Sequence, residues 1–310
     1  MLSQWSAWAT PVTHRAVAAT LPITAGEVQA ERRRTALSEV PVEKEEPAAL
    51  DLGQRAPRVL LSGNTEQRVV ALTFDLDMSP HMVWMLRSGQ VRSWINQDGL
   101  SYLREKEVHA TLFMTGLWAE VYPKLAHELA TSGQFEIANH TYSHPAFHTP
   151  CYGLTGVSPG EAASELSRSQ EAIKRATGVT PIYFRFPGGC YDHGALDLVH
   201  AAGMIPVQWD VNSIDAFNPN SVQIATTVLN GVRPGSIVVM HLHGAPNAPA
   251  SGAALRQIIP ALQERGYRFV TVSELLQVAA AVEPTDPREL VEFADPHPVW
   301  RCYPTKFKRC

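Results

Sequence analysis

Val69-Val70-Ala71-Leu72-Thr73-Phe74-Asp75-Leu76-Asp77 is the stretch that decides the fold. From Val69 to Phe74 it is apolar or β-branched, the composition of a strand. It then ends on two carboxylates. Successive strand residues point to opposite faces, so Asp75 and Asp77 share a side if the strand stays regular to its end.

Outward from this stretch the chain alternates strand and helix. Further strand candidates are Val108–Met114, Phe135–Ala138, Ile182–Phe186, Met204–Trp209, Ser236–Met240 and Arg268–Val272. The clearest helix is Pro159–Thr177: Ser158 caps it, Pro159 suits its first turn, Glu161 stands at capping-box spacing and Gly178 ends it. Pro219–Leu229 repeats the device with Asn218 as cap, while Asp192–Ala202 and Ala253–Arg265 finish at Gly203 and Gly266. Such alternation implies parallel strands joined by crossover helices. The expected class is α/β, an irregular (β/α)7-type barrel forming a single catalytic domain with an N-terminal extension. In barrels of this kind the chemistry gathers at the C-terminal ends of the strands. Asp75, His140, Arg185, Asp210 and His241 all stand at such ends.

The barrel is expected over 66–282. Residues 1–65 carry charged, proline-punctuated stretches such as Glu31-Arg32-Arg33-Arg34 and Glu43-Lys44-Glu45-Glu46-Pro47, which read as an arm or linker. Residues 283–310 form a tail in which Cys302 and Cys310 are expected to act as a staple. Cys151 and Cys190 fall in loops just after functional segments. Two disulfides and an oxidising compartment are the leading reading of these cysteines, with free buried thiols as the alternative. A cysteine metal site is disfavoured, because no Cys-x-x-Cys pair occurs.

At 310 residues and 45% hydrophobic the chain can bury a sizeable core, and a net charge of −4 leaves no footprint for nucleic acid or an anionic membrane. No window reaches the ~18 uninterrupted apolar residues of a membrane span. Met1–Ala30 lacks a charged start followed by a compact apolar run, so no signal peptide is expected.

His140 and His144 lie four apart; one helical turn would aim both imidazoles at a shared cation. One of Asp75 and Asp77 could complete a two-histidine, one-carboxylate set, and the other could act as base. Arg185 ends an apolar strand and needs a carboxylate partner there, Asp75 being the natural one. Pro187-Gly188-Gly189 would expose backbone N–H groups to a developing oxyanion. His241 could be a general acid, held by Asp215 or Asp210. Trp84, Trp94, Trp118, Trp209, Tyr142 and Tyr191 are aromatic residues near loops and could stack on sugar rings. Each of these motifs alone has a structural explanation; their order along one scaffold favours metal-assisted hydrolysis.

These motifs, with Ala110-Thr111-Leu112-Phe113-Met114-Thr115-Gly116 and Gly266-Tyr267-Arg268-Phe269-Val270-Thr271, resemble the polysaccharide deacetylase family of carbohydrate esterases, from about Arg68 to Ala280. The resemblance implies a divalent metal, commonly zinc. It implies Asp75 as base, His140 and His144 as metal ligands, Arg185 as orienter of the base, and the backbone near Gly188 as part of the oxyanion hole. His241 would be the acid, tuned by Asp215. Of the aromatic residues near loops, Trp209 and Tyr142 are the ones expected to meet substrate. Three positions depart from the family pattern. Leu76 replaces the adjacent metal-binding aspartate, leaving Asp77 to coordinate or the two aspartates to swap roles. Gly188 replaces a common tyrosine, and Ala216 a common tryptophan. The segment Met78–Gly99 looks like an insertion beside the site.

The activity implied is removal of N-acetyl groups from an N-acetylhexosamine polysaccharide, peptidoglycan or chitin-like, in the cell envelope or outside the cell. The alternatives are O-acetyl ester or small-amide hydrolysis on the same scaffold, and a non-catalytic glycan-binding relative with a decayed first motif. Oligomeric state is left open.

Overall fold

The computed structural model describes residues 59–281 and 291–294. The N-terminal arm before Val59, and the Cys302 and Cys310 pair, lie outside the described residues.

Six parallel strands form the body of one sheet, in the order β8 (Ser236–His241), β2 (Val69–Leu76), β3 (Ala110–Met114), β4 (Phe135–Asn139), β5 (Tyr183–Phe184) and β6 (Ile205–Pro206). A seventh, β1 (Val59–Gly63), lies antiparallel to β8. The Gln208 N–H donates to Leu60 O at 2.8 Å, so β1 spans the gap between β8 and β6 and brings the circuit nearly to closure. Short strands β7 (Val211–Asn212) and β9 (Arg268–Phe269) pair with β8 and β2, and β10 (Val291–Ala294) pairs antiparallel with β1. The barrel thus begins at Val59, ahead of the boundary expected at 66, and takes a strand from each flanking segment.

Helices α1 (Pro80–Arg87), α2 (Gln97–Glu105), α3 (Gly116–Val121), α4 (Pro123–Thr131), α5 (Pro159–Thr177), α6 (His193–Ala201), α7 (Ser221–Gly231), α8 (Ser251–Glu264) and α9 (Val272–Ala280) follow the strands. α5 has the expected ends: Ser158 and Glu161 form a reciprocal capping box, and Gly178 closes it at φ 79°. α7 starts two residues later than expected. Asn220 is its cap, accepting from Gln223 N–H at 3.0 Å, while Asn218 accepts from Asn220 N–H. Met78–Gly99, the segment read as an insertion beside the site, is well packed. Ser79 caps α1 with Pro80 in its first turn, and the following loop buries Trp94, whose Nε1–H donates to Met82 O at 2.8 Å.

The alternation along β2 positions the chemistry. Val70, Leu72, Phe74 and Leu76 pack into the large core under the helices. Val69 and Ala71 belong instead to the barrel interior, with Phe113, Ile237 and the α9 residues Val272 and Leu275, which close one end. Odd-numbered residues therefore face the lumen, and Leu76 faces the helices. Burying that leucine contributes about 1.5–3 kcal/mol. An aspartate at 76 would set an unpaired charge among apolar side chains. A strand kept regular to its end thus delivers its second carboxylate at 77.

Candidate metal centre and hydrolytic site

Asp77 stands at the centre of the C-terminal rim. Its Oδ1 lies 3.4 Å from His140 Nε2 and 3.5 Å from His144 Nε2. The three residues offer ligand atoms all within 4.8 Å of one another. The two imidazoles are not aligned by a helical turn, as their spacing suggested. After β4 the chain makes a loop in which Thr141 (φ 66°) and His144 (φ 64°) are left-handed, a conformation costly for non-glycine residues. Surrounding bonds fix it. Asn139 Oδ1 accepts from Thr141 N–H, and Thr141 Oγ1 accepts from His144 N–H, at 2.9 and 3.0 Å. The buried Glu165 of α5 accepts from the N–H groups of Tyr142 and Ser143 at 2.9 and 2.7 Å, and from the Ser143 hydroxyl.

Electrostatics suit this cluster to a cation. His140 Nδ1 faces Arg185 O at 2.9 Å. A carbonyl only accepts, so Nδ1 carries a hydrogen. Burial disfavours the imidazolium, but Asp75 and Asp77 raise His140. On losing its Nε2 proton the ring offers that lone pair to a metal. Burial pushes His144 down to about 4, against the pull of Asp77, so its imidazole is neutral. Burial would raise Asp77, but His144, His243 and His140 outweigh it and hold the carboxyl well below the usual range. The fit is decided by one atom: Asp77 Oδ1 is buried without a hydrogen-bond partner. An orphaned acceptor costs roughly 1–3 kcal/mol. One carboxylate oxygen and two imidazole nitrogens converging around it fit a divalent cation.

Asp75 is held apart from this role. Its Oδ1 accepts from Arg185 Nη1 at 2.7 Å, and its Oδ2 lies 3.7 Å from His140 Nε2. The fully buried guanidinium also donates to Thr73 Oγ1, Gln208 O and Val207 O, and stacks 3.8 Å from the Phe113 ring centre. Opposite, His241 Nδ1 meets Asp215 Oδ1 at 2.7 Å, and Asp215 Oδ2 accepts from His241 N–H and the Ser251 hydroxyl. Burial disfavours the imidazolium, yet the charge and hydrogen bond of Asp215, aided by Asp77 and Asp75, push His241 up to about 10. Ligand atoms of Asp75, Asp77 and His241 also fall within 4.8 Å of one another. Asp210 is elsewhere, accepting from the Ser236 hydroxyl and Ile237 N–H.

Gly188 sits in a single 3₁₀ turn, Pro187–Gly189, at φ 64°. A Cβ there would lie 2.6 Å from Cys151 Sγ and 3.3 Å from the Tyr152 ring. Cys151 and Cys190 are joined in a disulfide with Cα atoms 6.0 Å apart, so sulfur fills the space a side chain at 188 would need. Trp209 packs over Gly189, which has no side chain to obstruct the ring. Tyr142, in contrast, is drawn away from the cluster: its hydroxyl donates to Glu120 at 2.9 Å and Arg168 covers its ring. Its expected stacking face is therefore occupied. Beside Ala216, Phe217 exposes 74% of its surface on a left-handed backbone.

His243 is the residue that the sequence reading missed. It is buried, and its Nδ1 lies 3.5 Å from Asp77 Oδ2. The signal was available, since His241-Leu242-His243 repeats the alternation of Asp75-Leu76-Asp77 on a neighbouring strand.

The family model for polysaccharide deacetylases matches residues 62–207. The peptidoglycan-N-acetylglucosamine deacetylase of Bacillus cereus is 30% identical over 222 residues, covering 70% of this chain and 72% of its own length. Among solved structures, a CE4 family pseudoenzyme from Bacillus anthracis has a TM-score of 0.59 at 25% identity, covering 72% of this chain and 70% of that one. A mutant of that pseudoenzyme, described as having restored enzymatic activity, has the same TM-score at 26% identity, covering 72% and 73%. These neighbours share the near-closed barrel fold of this chain. The chain belongs to the polysaccharide deacetylase family.

Proposed function

We propose that this chain is a metal-dependent N-deacetylase acting on an N-acetylhexosamine polysaccharide of the cell envelope, peptidoglycan or a chitin-like polymer. The observation that carries the reading is Asp77 Oδ1, buried and unpartnered between two imidazoles, with a pinned carboxylate and a charged imidazole alongside. Two nitrogens and one oxygen from protein favour zinc. When bound, the cation would polarise the acetyl carbonyl and acidify the attacking water. The disulfide beside Gly188 supports an oxidising compartment. Among the described residues no helix is long and apolar enough to cross a membrane.

The chain's own groups divide the proton work. Asp75, with Oδ1 tied to Arg185, has Oδ2 left to accept a proton from the attacking water. The Gly188 N–H is assigned to the tetrahedral oxyanion. His241, with Nδ1 held by Asp215, presents Nε2 as the donor that protonates the leaving amine. Trp209, and the exposed rings of Phe217 and Tyr152, are the aromatic surfaces available to stack on sugars.

Release of acetate from peptidoglycan or chitin oligomers, lost with chelator and in His140→Ala, is the expected result. Zinc-loaded protein that frees acetate from neither polymer, but does so from acetylated xylan, would move the assignment to an esterase. The pseudoenzyme among the structural neighbours favours weighing a non-catalytic glycan binder too. That reading requires purified protein without metal and without turnover.

A further inference from the structure

The two strands that meet beneath the metal cluster carry matching triplets. β2 and β8 are parallel neighbours with Asp75 opposite His241. One residue on, Leu76 and Leu242 both belong to the core under the helices. Two residues on, Asp77 and His243 return to the lumen side, with Oδ2 and Nδ1 3.5 Å apart. His243 keeps only 2% of its surface exposed, and its Nδ1 has no hydrogen-bond partner. Trp94 packs edge-on against the ring at 6.5 Å between centres, and His241 lies on another side at 5.1 Å. The imidazole is thus wedged in place, with one polar atom unassigned and aimed at a carboxylate.

Asp77 follows the last residue of β2, so the strand ladder does not fix its side chain. Its Oδ1 is claimed by the two ligand histidines, and only Oδ2 is left for a group that could orient it. From this geometry, and resting on the proposed metal-dependent reading, we propose that His243 is a positioning residue for the metal site. Its Nδ1–H donates to Asp77 Oδ2 and turns Oδ1 toward the Nε2 atoms of His140 and His144. The 3.5 Å separation exceeds an ordinary N–H···O bond by a few tenths of an ångström. That small closure satisfies both atoms. Loss of such an outer partner typically weakens metal binding about 10–100-fold. A histidine at 243 therefore accompanies the carboxylate at 77: the two lie on the same level of adjacent strands.

The test measures zinc affinity of the full chain by competition with a chromogenic chelator, alongside melting of the metal-free protein. His243→Leu keeps the bulk against Trp94 and removes the donor. His243→Asn keeps a donor close to the Nδ1 position. Affinity should fall about 10–100-fold in the leucine variant and recover to within a few-fold in the asparagine variant, with metal-free melting little changed between them. Equal affinities for both variants, or wild-type affinity for the leucine variant, would overturn the assignment. So would an X-ray absorption spectrum of the zinc-loaded wild type counting three imidazoles on the metal. Wild-type protein that binds no zinc would sink the functional reading beneath it as well; a failure confined to the variants sinks this inference alone.

Discussion

Two carboxylate clusters share the lumen of this barrel, Glu136 half-buried and Asp77 buried, and are treated in opposite ways. Lower down, Glu136 accepts from the Thr111 hydroxyl at 2.7 Å, from Val272 N–H at 3.1 Å, and from the N–H and hydroxyl of Ser273. Every donor there has an acceptor, and the result joins α9 to β3 and β4. At the rim Asp77 Oδ1 and His243 Nδ1 are more deeply enclosed and have no partner. Folding can satisfy polar groups in this lumen, as Glu136 demonstrates. The rim atoms left open are the ones the proposed metal site would use.

Asp77→Ala should break this contrast most sharply. Removing the carboxylate takes a ligand from the metal cluster, and acetate release should fall by about 10³-fold or more, given the several kcal/mol a catalytic metal supplies. The metal-free protein should change little in stability, because the orphaned oxygen of Asp77 offsets what its depressed carboxyl gains from the neighbouring imidazoles. A marked loss of metal-free stability would show that Asp77 is structural, like Glu136.

Next in size is Asp215→Asn. General acid catalysis is worth about 10²–10⁴-fold, and kcat should drop within that range. The pH profile gives the finer test. His241 is raised to about 10 in the folded state, against an ordinary value of 6.5. Its pairing therefore contributes stability in full below about 6.5, lost as pH rises through about 10. The alkaline limb of activity should likewise move to lower pH when Asp215 is neutralised. A variant with an unchanged alkaline limb would dismiss His241 as the acid.

Glu136→Gln is the mirror experiment at the satisfied cluster. It should destabilise by about 1–3 kcal/mol in urea, since a charged acceptor loses strength while its donors stay buried. Zinc affinity should not change. A variant that lost affinity in proportion to stability would erase the distinction between the two clusters.

The same contrast explains what could be read in advance. Asp75 and Asp77 were legible because alternation is a local property of a strand, and Arg185 because an apolar strand end demands a partner for a guanidinium. His243 obeyed the same period of two but looked like one more loop histidine, since its meaning lies in register with β2. The conformation of the histidine loop was not legible, because spacing alone cannot reveal that Glu165, more than 20 residues downstream, holds its N–H groups. β1 hid within a segment whose neighbours are charged, and its partners β8 and β10 lie far along the chain. Gly188 was legible as a departure, but its reason, a sulfur from residue 151, is long-range.

Gly188→Ala should act on a similar scale, and the smallest effect to be read is the difference the disulfide makes. Two costs add there: the left-handed backbone at φ 64°, and a Cβ 2.6 Å from Cys151 Sγ. Together they should cost about 1–3 kcal/mol, and the displaced amide should lower kcat more than it raises KM. Replacing both Cys151 and Cys190 by alanine removes the sulfur but leaves the backbone demand. In that background Gly188→Ala should cost less than in wild type, though still more than nothing, and the difference measures the steric share. If the two costs are equal, the cysteine pair has no hold on the turn, and the contrast loses its one link between a covalent brace and the reactive rim.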